Sequence, residues 1–225
     1  MRSPIGLARS LAVVCVSAWL LVGSIGGAAE AALVTVDYAG IVTSVAPELS
    51  GTFSVGDAIG GSYTYDTTAV DISPSPAVGS YIAVTGGAGS IGTYSFTHGV
   101  GTVSILDNFV VVCLSGAVPV DCYSVGGNVS APDVSGSPVT SFGLGFEDTD
   151  GVVFGNDSLP PIPPPLSQFE QTQFSLGFEI DEDRFAFVRG TISALSVVSV
   201  PEPSTLVVFG TGLTLGALRW RRRRT

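Results

Sequence analysis

His98 is the only histidine in this chain of 225 residues, and Cys113 and Cys122 are the only cysteines outside an apolar N-terminal run that holds Cys15. Nucleophilic catalysis needs a Ser or Cys beside a base that a third group orients. Serines and aspartates abound, but no Gly-x-Ser-x-Gly elbow accompanies His98, and His98-Gly99 reads as the turn after a strand over 92–97. The two cysteines flank Ser115-Gly116-Ala117-Val118-Pro119, a turn between two strands, and read as a disulfide of the kind exported proteins use. Closing so small a loop stabilises the fold by roughly 2–3 kcal/mol on the chain-entropy model.

The remaining chemistry is that of carboxylates. Glu147-Asp148-Thr149-Asp150-Gly151 followed by Asn156-Asp157 offers hard oxygen ligands around a turn, as Ca²⁺ prefers, and Asp181-Glu182-Asp183 is a second acidic group. Neither has the spacing of an EF-hand loop, and both read as solvated acidic turns. A glycosidase-type carboxylate pair cannot be singled out among so many acids. Carbohydrate binding falls to Tyr63, Tyr65, Tyr81 and Tyr94, because Trp19 and Trp220 lie in the terminal segments. The sequence therefore assigns no catalytic, cofactor-binding or metal residue and no cofactor, and it points away from an enzyme.

Any such site must be carried by strands. Between residues 33 and 198, short apolar runs are punctuated by turn residues, and no segment sustains a 3.6-residue stripe. Phe174, Leu176, Phe178 and Ile180 alternate with Ser175, Gly177 and Glu179, and Phe142, Leu144 and Phe146 alternate in the same way. Further strands are expected over 33–45, 58–65, 81–85, 92–97, 101–106, 109–114, 122–125, 151–154 and 184–198. Ten or eleven strands suit an all-β fold, an antiparallel β-sandwich of jelly-roll-like type. Phe142–Glu147 and Phe174–Glu179 both read Phe-x-Leu-Gly-Phe-Glu, as two equivalent strands flanking a loop. That loop contains Leu159-Pro160-Pro161-Ile162-Pro163-Pro164-Pro165-Leu166, whose prolines cannot donate to a ladder, so it is expected at the surface as a passive segment.

Charge is partitioned along the chain. Residues 32–200 hold seventeen acids against Arg184 and Arg189, a formal charge near −15, which excludes a nucleic-acid partner. The other arginines sit at the ends. Residues 1–31 read as a signal peptide, with Arg2 and Arg9 before the apolar run 11–22 and with Ala29 and Ala31 as the small residues at a signal peptidase site. At the other end, Pro201-Glu202-Pro203 precedes an apolar stretch within 204–220, then the cluster Arg219, Arg221, Arg222, Arg223 and Arg224. A helix over 204–220 spans roughly 26 Å, a short crossing of the inner membrane that the arginines would hold with its C-terminus in the cytoplasm.

This three-part tail over 200–225 resembles the PEP-CTERM sorting signal of Gram-negative bacteria, a tail also labelled an ice-binding-protein C-terminal domain. The resemblance implies an exosortase, a membrane-embedded transpeptidase-like enzyme, as the partner that recognises Pro201-Glu202-Pro203 and removes the tail. It implies a membrane-anchored precursor that ends at the cell surface or outside the cell. A permanent single-pass anchor is the rival reading of the same residues. For the ectodomain, 32–199, the expectation is a non-enzymatic surface or extracellular-matrix protein. The alternative is a module binding Ca²⁺ or extracellular polysaccharide, and a secreted hydrolase ranks last.

Overall fold

The computed structural model describes residues 33–110, 113–114 and 119–199. Its framework is eight strands: β1 (Leu33–Val45), β2 (Ala58–Asp66), β3 (Val78–Ile91), β4 (Tyr94–Val110), β5 (Pro119–Ser130), β6 (Val139–Asp148), β7 (Gln171–Asp181) and β8 (Arg184–Ser199). Each pairs antiparallel with the next, and β8 pairs with β1, so the sheet closes into an up-and-down barrel. The expected two-sheet sandwich is therefore replaced by a single closed sheet. Alternation cannot tell these folds apart, since both need one apolar and one polar face per strand.

Strand number differs for a related reason. The pairs β3–β4 and β4–β5 continue through register shifts between Tyr81 and Val84, between His98 and Gly101, and between Leu106 and Phe109. Such bulges bend a strand without ending it, so the three short runs expected over 92–114 become one strand, β4. Residues 151–154 form no strand; their main-chain amides are engaged by side chains, as shown below. The near-repeat does form adjacent strands: Phe142 faces Leu176 and Leu144 faces Phe174 across β6 and β7.

Inward positions fill the barrel with aromatic rings. Tyr38, Phe96, Phe142 and Phe174 are buried at its waist, with ring centroids 5.8–6.4 Å apart. Each fully buried ring contributes about 2–3 kcal/mol by area. Room for Tyr38 comes from two facing glycines, because a Cβ at Gly61 or Gly89 would stand 2.4 or 2.5 Å from its hydroxyl. Further along the bore, the Tyr63 and Tyr123 hydroxyls share a buried hydrogen bond of 3.2 Å. Burial of the phenols raises the pKa of both residues, and of Tyr38 and Tyr65 too. Outward positions on β1 to β4 are mostly small or polar, including Thr35, Asp37, Ser62, Thr64 and Thr97. A barrel that crosses lipid has its apolar band outside, the reverse of this arrangement. No helix among the described residues is long and apolar enough to cross a membrane.

The barrel has two unlike ends. β1 starts and β8 stops at one of them, here the tail end, where Val34 pairs with Ser199. Its loops are 67–77 and 149–170, and residues 113–114, between β4 and β5, lie there too. The far end has the loop 46–57, the turns 92–93 and 182–183, and the loop 131–138.

Candidate functional site

The tail end concentrates the groups that could do chemistry. Asp121 on β5 and Asp148 on β6 face each other in register and are fully buried, and Glu147 beside Cys122 is buried as well. Asp121 accepts main-chain N–H bonds from Asn108 (2.8 Å) and Phe154 (2.6 Å). Asp148 accepts three, from Asp150 (3.1 Å), Val152 (2.8 Å) and Val153 (3.1 Å). Glu147 accepts one from Leu114. A buried carboxylate must be satisfied by donors, and here the donors are amides outside the strand ladder, in the loops and, for Asn108, at the bulge of β4. The two expected cysteines form the disulfide Cys113–Cys122 and fix the same loop that Glu147 holds. Asp71 acts alike from the loop 67–77: the Ser80 amide, then that of Ser73, bond its carboxylate and lower its pKa.

These carboxylates correct the expectation of solvated turns. The signal was present in parity, because Asp148 continues the inward series Phe142, Leu144, Phe146, and Asp121 shares its face with Tyr123 and Val125. Among the described residues, buried Asp148 also joins two exposed acids, Asp150 and Glu170, in a trio that could meet a ligand. Oxygens of Asp148, Asp150 and Glu170 lie within 4.8 Å of one another, and the Thr149 amide donates to Glu170 at 2.8 Å. Sequence reading missed Glu170, which reaches the other two only because the loop 149–170 folds back. Asn156 and Asp157 do not join the trio; Asp157 instead offers its main-chain carbonyl to the Tyr81 hydroxyl at 2.9 Å. Both arginines among the described residues lie elsewhere. Arg184 bridges Glu48 and Asp181, and Arg189 lies over the Phe187 ring.

The proline-rich segment lies at the surface as expected, and it is also tied to the barrel mouth, with Phe169 just beyond it. Tyr65 donates to the Pro160 carbonyl at 3.1 Å from within the barrel, while Phe169 plugs the mouth against Phe146 and Phe154, with centroids 5.7 and 6.4 Å away. Of the tyrosines expected to meet sugars, Tyr63, Tyr65 and Tyr81 are buried, and half-buried Tyr94 donates to the Pro132 carbonyl at 2.7 Å. What the outer wall offers instead is an open groove of about 590 Å³, lined by Asp37, Ser62, Ser90, Ser95, Thr97 and Ser130 over the glycines of β2 and β3.

His98 is not at a turn. It lies within β4, two residues beyond inward-facing Phe96, and is 4 % exposed. Its ring stacks on Phe142 at 4.6 Å and 8°, and its Nε2 is 3.1 Å from the Ser62 main-chain carbonyl. Burial lowers its pKa, opposed by the Ser62 and Gly99 main chains. This is the environment of a neutral core imidazole, held by main chain and aromatic carbon.

Ala29, Ala31, Pro201, Glu202, Pro203 and the terminal arginines lie outside the described residues. Among known families, residues 199–224 match the PEP-CTERM protein-sorting motif. No curated protein and no solved structure matches the chain. The matched segment begins at Ser199, the last residue of β8.

Proposed function

We propose that this PEP-CTERM-tailed chain is the precursor of a non-enzymatic surface or extracellular-matrix protein, whose barrel is released or displayed once an exosortase has removed the tail. The sorting motif implies an exported, membrane-anchored precursor that the exosortase processes. The observation that carries the rest is how the barrel uses its reactive groups. His98 is packed in the core, the cysteines are joined, and Asp121, Glu147 and Asp148 hold loop amides. Such a molecule suits display. Its closed sheet leaves no edge strand to pair with a neighbour, and its charge makes self-association sensitive to salt. Intact mass of the protein in membrane, surface-wash and medium fractions tests the reading. A species from Ala32 to about Pro203, 2 Da below its reduced mass and outside the membrane, is expected; a membrane species retaining Arg221 to Thr225 overturns it in favour of a permanent anchor.

A second reading, a Ca²⁺-binding module, is favoured by the trio Asp148, Asp150 and Glu170. Three converging carboxylates repel one another, and a hard divalent cation relieves that repulsion. Calcium should then raise the melting temperature of the mature barrel, and Asp150→Asn with Glu170→Gln should abolish the rise. Equal melting curves in calcium and in EDTA refute it.

A further inference from the structure

We infer that the tail end of the barrel is the face by which the precursor docks on its processing enzyme, and that this enzyme presents a basic, partly apolar surface to it; the inference rests on the exosortase reading above. Three observations converge. The first is reach. β8 remains paired up to Ser199, and two residues later the chain enters Pro201-Glu202-Pro203. At 3.3–3.6 Å per residue, the motif begins at most about 7 Å beyond the last strand pair, and the apolar stretch from Ser204 at most about 18 Å beyond it. An enzyme that grips the motif therefore meets the tail end, whereas the far end lies roughly 50 Å away along the 16 residues of β8.

The second observation is exposed aliphatic surface. Val70, Ile72, Val110, Val152 and Ile162 are each more than half exposed and all belong to the tail end, four in its loops and Val110 at the close of β4. Strand ends beside them add Leu33 and Val198. At the far end, Val55, Phe185 and Ile41, which pairs with Ala58 beside the loop 46–57, match this exposure, three residues against five. Loops free to be polar have no reason of their own to show so much aliphatic carbon to water.

The third is charge. Nine acids belong to the tail end, from Asp66 to Glu170, and all but Asp121, Glu147 and Asp148 reach solvent. No arginine among the described residues shares that end, while the far end carries Arg184 and Arg189 among its acids. A membrane surface rich in anionic lipid repels such a face. A protein surface combining arginine or lysine with apolar side chains complements both of its features.

The test is a pulse-chase of the full precursor in its host, reading the ratio of tail-bearing to tail-free chain by mass. One variant carries Val70→Ser, Ile72→Ser and Val152→Ser, and a second carries Asp107→Asn, Asp150→Asn and Asp157→Asn. A far-end control carries Val55→Ser, Phe185→Ser and Glu182→Gln. Melting curves of the purified barrels identify any variant that has lost its fold, and single substitutions from that set then replace it. Tail removal is expected to slow at least fivefold in both tail-end variants and to stay within twofold of wild type in the control. Wild-type rates in the tail-end variants, or equal slowing in the control, overturn the inference while leaving exosortase processing intact. A wild-type chain that keeps its tail overturns both. Co-sedimentation of the mature barrel with phosphatidylcholine–phosphatidylglycerol vesicles, lost in the tail-end variants, would make the occupant the membrane instead and would also overturn it.

Discussion

The two ends of the barrel are closed by different physics. At the far end, the loop 46–57 drives Leu49 and Phe53 into the bore, where Phe53 meets Tyr94 at 5.1 Å and Phe178 at 5.7 Å. The tail end also has a plug, Phe169, but much of its order comes from buried carboxylates that take the amides of long loops. Apolar closure is tolerant in direction and scales with area. Carboxylate closure is directional, and it fails wholly when one acid is lost, because several donors are stranded together. The near-repeat shows the contrast in one residue type: Glu147 ends its copy buried at the tail end, whereas Glu179 ends the other half-buried at the far end.

The sharpest way to break this contrast is to remove one anchor from each end. Asp148→Ala strands three amides and should cost about 3–4 kcal/mol in denaturant unfolding. Phe53→Ala should cost a similar amount through its cavity. The two separate in hydrogen exchange, because only Asp148→Ala should lose protection at Val152 and Val153. Next in size, replacing Cys113 and Cys122 by Ser should cost roughly 2–3 kcal/mol and loosen the tail end alone.

Titration gives smaller effects on both sides of neutrality. The folded pKa of His98 lies below its unfolded value near 6.5, so the unfolded chain takes up a proton that the folded one refuses. Stability from this group is complete above that value and falls as pH drops below it; His98→Gln should remove that slope from melting temperatures between pH 7 and 5. In alkali the sign reverses. Burial, then the nearby Asp133, raises Tyr94 to about 12, so its contribution persists up to pH 10 and is lost as pH approaches 12. Phenol absorbance should therefore change together with unfolding. Smallest of all, Arg184→Ala should cost under about 1 kcal/mol, since its side chain is 58 % exposed.

Much of the wall was legible in the sequence. β1 runs over the expected 33–45, the alternation of Phe174, Leu176 and Phe178 marks the inner face of β7, and the cysteine pair is joined. Closure was not legible, because a strand's face is set by its own pattern while its neighbour is set by the whole sheet. β4 was divided at this point because His98-Gly99 resembles a turn, yet here the residues between His98 and Gly101 form a bulge that bends a continuous strand. His98 and Asp148 were assigned by residue type to a turn and to solvent, and Asp121 was not singled out; parity with Phe96, Phe146 and Tyr123 places all three inside. Glu170 had no local signal, since only the path of the loop 149–170 brings it to Asp148 and Asp150.

The pairing of Val34 with Ser199 also has a mechanical meaning. A pull on the tail enters β8 along its own length, and ladder bonds to β1 and β7 lie across that direction. They are loaded together, in shear, so the strand resists as a group. A pull divided between Leu33 and Ser199 would instead unzip the β1–β8 seam one bond at a time, beginning at that pair. A chain held at Ser199 alone therefore loads the seam in the geometry in which it is strongest, and one held at both Leu33 and Ser199 loads it in the geometry in which it is weakest.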